Sequence, residues 1–345
     1  MSSVSGPAAA RVRTAQVGLA DDRADGAGGA GGAGGLRGFL RAALGEVCGP
    51  CPALAGGVPV VWSGAHVVDP PFYGDGDIGR AAVCRTVNEL AAAGAVPLGL
   101  SLSAVVEAGL PLGRVRQVAD SVRTAARAAG VLVVDVDARV VRAGEADQIY
   151  LHTTGIGLRD SPAAPVPRAR AGDRLVVSAP LGGFGAHVLS VRARSGHESV
   201  IPSGCHPLTG MLERARGAVR QGALRAVRTV GRGGLAAALG AYADESGLGL
   251  RVRETALPVQ YEARVALEAL GVEPVHAASA GCVLVVVAAE AVDVLLAALR
   301  ADPCGREAAV VGEVTRPGTG PVVLVPADGG PVALEAAAQA PARLA

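Results

Sequence analysis

Apolar residues recur along this chain at two spacings, one helical and one alternating, and the change between them marks its elements. From Leu36, "LRGFLRAAL" sets apolar side chains three and four apart and predicts a helix. Two β-rich runs follow, "VPVVW" and "AHVV", separated by Ser63-Gly64. In "DGDIGRAAVCRTVNELAAAGAVP" (75–97), Val87, Leu90, Ala91 and Gly94 lie at the core spacing of a helix. "PLGLSLSAVV" reads as a strand, 112–129 as an amphipathic helix, and "VLVVDVDARVV" and "QIYLHTTGIGL" as further β-structure. The second half predicts a strand at "RLVVSAP", a Gly-rich turn at "LGGFG" and a helical region over about 206–229. A helix at "LAAALGAYADES", a strand at "GCVLVVVA", a helix over 291–300 and a strand at "AAVVGEVT" complete it.

This order predicts an α/β (α+β) chain of two domains, each a mixed sheet with helices packed on one side. Residues 1–35 end in "DGAGGAGGAGG" and hold too little apolar surface to offset chain entropy, so they read as a mobile segment. The first domain spans 36–160. The proline-rich "SPAAPVPRARAGD" (161–173) breaks both spacings and reads as a linker. The second domain covers 174–330, with a tail at 331–345.

Composition narrows the chemistry. Aromatics are only 2% of 345 residues, so the core must be built from Val, Leu and Ala. All 32 basic residues are Arg, which excludes lysine Schiff bases and the lysine-bearing phosphate loop. A net charge of +1 and the absence of a basic run with aromatics predict no nucleic-acid partner. The most apolar window carries Glu290 and Asp293, which predicts no membrane span. Six scattered cysteines and an N-terminus without a signal-like core predict a cytoplasmic protein with reduced thiols.

Four features could carry chemistry. Asp77, Cys84 and Asn88 fall on one helix face; the plainer reading is an N-cap, a small core residue and an edge amide. Asp135 and Asp137 alternate onto one strand face, where they suit a Mg²⁺ shared with phosphate, or an exposed strand end. "CGPC" (48–51) has redox spacing, but prolines and a β-like continuation argue for an incidental loop pair. Glycine clusters at 32–35 and 231–234 each precede a helix start able to accept phosphate. The six histidines show no metal-ligand spacing.

The order of these features resembles the HypE family of hydrogenase maturation proteins, in the PurM-like (AIR synthetase) superfamily. "GDIGRAAVCRTVNELAAAGAVPLGLSLSAVVEAGLPL", "GVLVVDVDARVV", "GDRLVVSAPLGGFGAHVLSVR" and "GRGGLAAALGAYADESGLGLRV" carry the likeness over about 32–330. It implies a two-domain PurM-like fold and a homodimer paired through the first-domain sheets, with ATP and Mg²⁺ near that interface. It also implies an ATP-dependent carbamoyl dehydratase, which turns a terminal cysteine's carbamoyl group into thiocyanate. HypF-, HypC- and HypD-like maturation proteins are the implied partners. Nucleotide-site positions then fall on Asp77, Asn88, Asp137, Arg139, Gly34 and Gly35, and metal positions on Asp77 and Asp137. Arg139 stands where the family has lysine, and Gly64 where it has aspartate. The HGSGG loop lacks its histidine, TRGG becomes Gly231-Arg232-Gly233-Gly234, GDHG becomes Gly182-Gly183-Phe184-Gly185, and Ala345 stands at the terminal cysteine. Three readings follow: the dehydratase, a catalytically degraded homologue acting as a scaffold, or another PurM-like ATP-dependent enzyme acting on a small molecule.

Overall fold

The computed structural model describes residues 35–54, 56–160, 169–317 and 321–335. Gly34 with the segment before it, most of the 161–173 linker and the end of the tail lie outside the described residues. The first domain runs α1 (Gly35–Leu44), β1 (Val58–His66), the short hairpin β2 (Phe72–Tyr73) and β3 (Gly76–Asp77), then α2 (Ile78–Ala92). It continues through β4 (Val96–Glu107), α3 (Leu112–Ala129), β5 (Leu132–Val141) and β6 (Ile149–Arg159). Its sheet has the order β1-β6-β4-β5. Strands β4 and β5 are parallel because helix α3 carries the chain back between them, and the other pairs are antiparallel.

One sheet face is covered. Leu100, Leu102, Val133 and Val136 pack there with Leu40, Val83, Val87, Val118 and Val122 of the three helices. Helix α2 lies close because β6 offers glycine beneath it: a Cβ at Gly155 would stand 2.5 Å from Thr86 Cγ2 and 2.8 Å from Leu90 Cδ1. The other face is open, with Val61 62% exposed. A register shift between β4 and β5 interrupts the alternation of β5. Val133 and Val136, three apart, both face the core, while Asp135 and Asp137 stand on the open face. The break at Ser63-Gly64 is no turn, since β1 runs through it. Gly64 leaves room for the Trp62 ring, 2.2 Å from where a Cβ would sit.

The second domain comprises β7 (Arg174–Val177), α4 (Gly183–Ala193), α5 (Thr209–Ala218), β8 (Leu224–Thr229), α6 (Gly234–Ser246) and β9 (Gly249–Arg253). α7 (Tyr261–Ala269), β10 (Val283–Val287), α8 (Val292–Arg300), β11 (Ala309–Thr315), β12 (Val322–Val325) and β13 (Val332–Ala333) complete it. The sheet order is β13-β12-β9-β11-β7-β10-β8. Two expectations change here. The helix read over 206–229 stops at Ala218, because Gly222 turns at φ +81 and "LRAVRT" pairs with β10 as an edge strand. Helices also cover both faces of this sheet. Val283, Val285 and Val287 face α5 and α8, and Leu284 and Val286 face α6. That explains why β10 is apolar without alternation: every residue in it is buried. No helix among the described residues is long and apolar enough to cross a membrane.

A polar chain ties β1, β6 and α2 together under the first sheet. His66 Nε2 and Thr153 Oγ1 lie 2.8 Å apart, Thr153 and Thr86 hydroxyls 2.6 Å, and Thr86 donates to the Ala82 carbonyl. Burial, with Arg85 and His152 nearby, lowers the His66 pKa to about 3. Between that value and 6.5 the unfolded chain binds a proton that the folded chain excludes. Stability from this site is therefore intact above pH 6.5 and is lost as pH falls. The expected loss between pH 7.5 and pH 5 is about 2 kcal/mol. In urea titrations at the two pH values, His66→Gln should remove most of that difference; an unchanged pH dependence would contradict the assignment.

Candidate functional site

Helix α2 begins on Asp77. Its Oδ1 accepts from the backbone N–H of Gly79 (2.9 Å) and Arg80 (3.3 Å), and its Oδ2 accepts from the Ser121 hydroxyl of α3 (2.7 Å). Burial raises the carboxyl pKa, opposed by those hydrogen bonds. Asp77 is thus a helix cap clamped to the neighbouring helix. Near the other end of α2, Asn88 crosses into the second domain. Its Nδ2 donates to the carbonyls of His206 (3.0 Å) and Ala280 (3.4 Å), while Oδ1 accepts from the Leu208 N–H (2.7 Å). Beside it the Thr229 hydroxyl donates to Glu89 at 2.7 Å.

The loop before α2 is held equally firmly. Asp75 accepts from the Ser203 N–H at 3.0 Å and lies 3.6 Å from His187 Nε2. The Tyr73 ring meets Phe184 and His187 edge-on at 5.5 and 5.8 Å. A groove of about 680 Å³ remains between α2, α3 and the His206-Pro207 turn, walled by Asp75, Arg80, Cys84, Arg116 and Gln117. The glycine turns meet on the 274–279 segment within the second domain. Gly182, at φ +78, donates its N–H to Ser279 Oγ at 2.7 Å. Gly234, at φ +65, comes so close to the 275–277 backbone that a Cβ would stand 2.4 Å from the Val275 carbonyl.

Asp137 and Arg139 sit elsewhere, on the open face of the first sheet. Register places Ser101 opposite Asp135 and Thr154, and Ser103 opposite Asp137 and His152. Ser63 lies 3.0 Å from Thr154 Oγ1 and 3.1 Å from His152 Nε2. A polar stripe therefore crosses all four strands. At the β5 edge, Arg139 pairs with Asp137 at 3.6 Å, and Arg37 of α1 reaches Asp135 at 3.5 Å. Gly35, at φ +82, opens α1 and so starts the element that delivers Arg37 to this strand.

The structure therefore divides the sequence-predicted positions into two groups. Asp77 and Asn88 serve the covered face and the domain boundary, while Gly35, Asp137 and Arg139 gather at β5. Among the described residues no three His, Cys, Asp or Glu side chains converge as a metal cage. The β5 edge nonetheless suits a magnesium nucleotide. Two neighbouring carboxylates can share a hard cation with phosphate oxygens, and their ion-paired guanidinium groups can turn to phosphate. Arg37, Ser121 and the Asp75–Ser203 link had no signal in the sequence, because each acquires its partner only through tertiary packing.

The AIR synthase related protein families match both halves, the N-terminal domain over residues 53–159 and the C-terminal domain over 170–324. The carbamoyl dehydratase HypE of Rhizobium leguminosarum bv. viciae is 38% identical over 265 residues, 76% of this chain and 75% of that protein. A HypE solved in complex with ATP superposes with a TM-score of 0.81 at 33% identity, covering 89% of this chain and 94% of that one. HypE from a HypE–HypF complex gives 0.75 at 31% identity over 82% and 92%. This chain belongs to the AIR synthase related family and, within it, to the HypE-type hydrogenase maturation proteins.

The Asn88 clamp has a measurable consequence. Asn88→Ala leaves a buried N–H and two carbonyls short of partners, at a cost on the order of 2 kcal/mol. Asn88→Asp keeps the acceptor for Leu208 and loses both donations, so it should also destabilise. Urea denaturation should show both losses, with the transition broadening as the domains uncouple. Unchanged midpoints for both variants would remove Asn88 from that role.

Proposed function

We propose that this chain binds ATP with Mg²⁺ at the β5 edge of the open sheet and dehydrates a carbamoyl group for the cyanide ligand of a NiFe hydrogenase. The observation that supports the reading is the stripe of Asp135, Asp137, Arg139 and Arg37 on the first domain of a HypE-type protein. A solved relative carries ATP, and the curated relatives are carbamoyl dehydratases. Asp135 and Asp137 would hold the metal, and Arg37 and Arg139 the phosphates. Bound ATP would make the amide oxygen a leaving group: carbamoyl plus ATP gives nitrile, ADP and phosphate, so the oxygen departs on phosphorus.

The open sheet face is also where a second copy would pair, since Val61 and Ile156 stand side by side on it, uncovered. HypF-type proteins are the first partner this reading assigns, because a relative is solved with one; HypC- and HypD-type proteins would follow in the same assembly.

Calorimetry with Mg²⁺-ATP, followed by phosphate release in the presence of a carbamoylated cysteine peptide, tests the proposal. Binding with peptide-dependent turnover is expected, and Asp137→Asn should weaken nucleotide binding about tenfold, near 1.4 kcal/mol. The surface change Asp120→Asn should leave it unchanged. No binding at millimolar ATP would overturn the reading, and binding without turnover would make the chain a scaffold rather than an enzyme.

A further inference from the structure

Cys84 and Cys205 belong to different domains and meet inside the boundary between them. Cys84 is on α2, one turn before the Asn88 clamp, and Cys205 precedes the His206 carbonyl that Asn88 holds. Both are free thiols, buried to 1% and 0% exposure, and both pack in one cluster with Tyr73 and Phe184. The Cys84 thiol is pushed well up, first because Cys205 accepts its S–H as a hydrogen bond and then by burial. The two segments that carry these thiols are fixed against each other from both sides, by Asn88 and by the Asp75–Ser203 link, which keeps the sulfurs in one another's neighbourhood. Cys84 also forms part of the wall of the groove beneath Arg80 and His206, which gives a small oxidant a route to one sulfur.

We propose that Cys84 and Cys205 are a redox modification site, oxidised by a hydroperoxide to a disulfide that staples the two domains together. The atoms balance in two steps. Cys84 sulfur attacks the peroxide, forming a sulfenic acid and releasing the alcohol, or water from hydrogen peroxide. Cys205 sulfur then displaces the sulfenic oxygen as water, and the S–S bond forms. Two thiols lose two hydrogens and the peroxide O–O bond is reduced. Because only a thiolate attacks, a thiol held protonated by burial oxidises slowly. The site answers sustained rather than brief exposure. The Cys48–Cys51 pair is independent of it, on a loop beside β5 where Cys51 is exposed.

Trypsin separates the two sites. Cys84 falls in the peptide 81–85, Cys205 in 195–214, and Cys48 and Cys51 together in 42–80. The folded wild-type chain would be exposed to hydrogen peroxide, alkylated and digested without reductant. Peptide 81–85 joined to 195–214 is expected, two hydrogens lighter than the sum of the free peptides. The oxidised protein should melt several degrees higher than the reduced one, with dithiothreitol reversing the shift. Cys84→Ser should abolish both signals, while Cys48→Ser should leave them. Separate alkylated peptides at Cys84 and Cys205, a sulfenic acid at Cys84 without linkage, or linkage only after denaturant would each overturn the site. The wild-type peptide map decides the question even if a serine variant fails to fold.

Discussion

Everything in this molecule depends on how closely helix α2 approaches the sheet below it. Gly155 lets Thr86 and Leu90 settle onto β6, and Gly79 lets the start of the helix meet the Val118 carbonyl, 2.6 Å from where a Cβ would stand. Packing at that distance admits no adjustment by a side chain, so the helix has a single seat. From that seat it carries Asp77 to Ser121, Thr86 to Thr153, and Asn88 to the second domain. One rigid element thereby sets the first domain, and Asn88 and Glu89 on it anchor the second.

The two faces of the first sheet have opposite tasks. The covered face is held by hydrogen bonds between groups that water does not reach, where an unpaired polar atom is costly. Its ionisable members are pushed toward their neutral forms, as the lowered His66 and raised Asp77 show. On the open face the charges remain half-exposed and paired at ion-pair rather than tight hydrogen-bond distances. Such pairs exchange partners at little cost, because solvent screens each side chain in either arrangement. Mechanical coupling belongs on the first face, and on the proposed reading chemistry that requires charges to move would belong on the second.

How much of this could be read from the sequence follows from the range of each interaction. The helical spacing of Val87, Leu90 and Ala91 and the alternation around Asp137 are local, and the chain forms those elements as read. The cap at Asp77 was equally legible, since it depends on residues two and three positions ahead. Strand β8 was missed because "LRAVRT" follows a helix directly, and only pairing with β10 makes it a strand. The covering of the second sheet on both faces was hidden for the same reason: a run such as "VLVVV" reports burial but not what buries it. Asn88 looked like an edge amide because its three partners lie more than a hundred residues away. The bulge in β5 was hidden too, yet it leaves both carboxylates on the face that alternation gave them.

The absence of lysine gives the open face a particular character. Where the family's lysine would present a compact ammonium on a flexible stem, Arg139 presents a planar fork that can hold Asp137 or a phosphate through paired N–H groups. On the proposed reading, recognition at β5 would vary with the state of the phosphate and of any cation between Asp135 and Asp137. Arg37 strengthens this arrangement from α1, because its pairing with Asp135 ties the helix start at Gly35 to the same strand. A ligand that draws both guanidinium groups away from their carboxylates frees those carboxylates for a cation in the same movement. On the proposed reading, anion and cation binding at this edge would be two halves of one exchange.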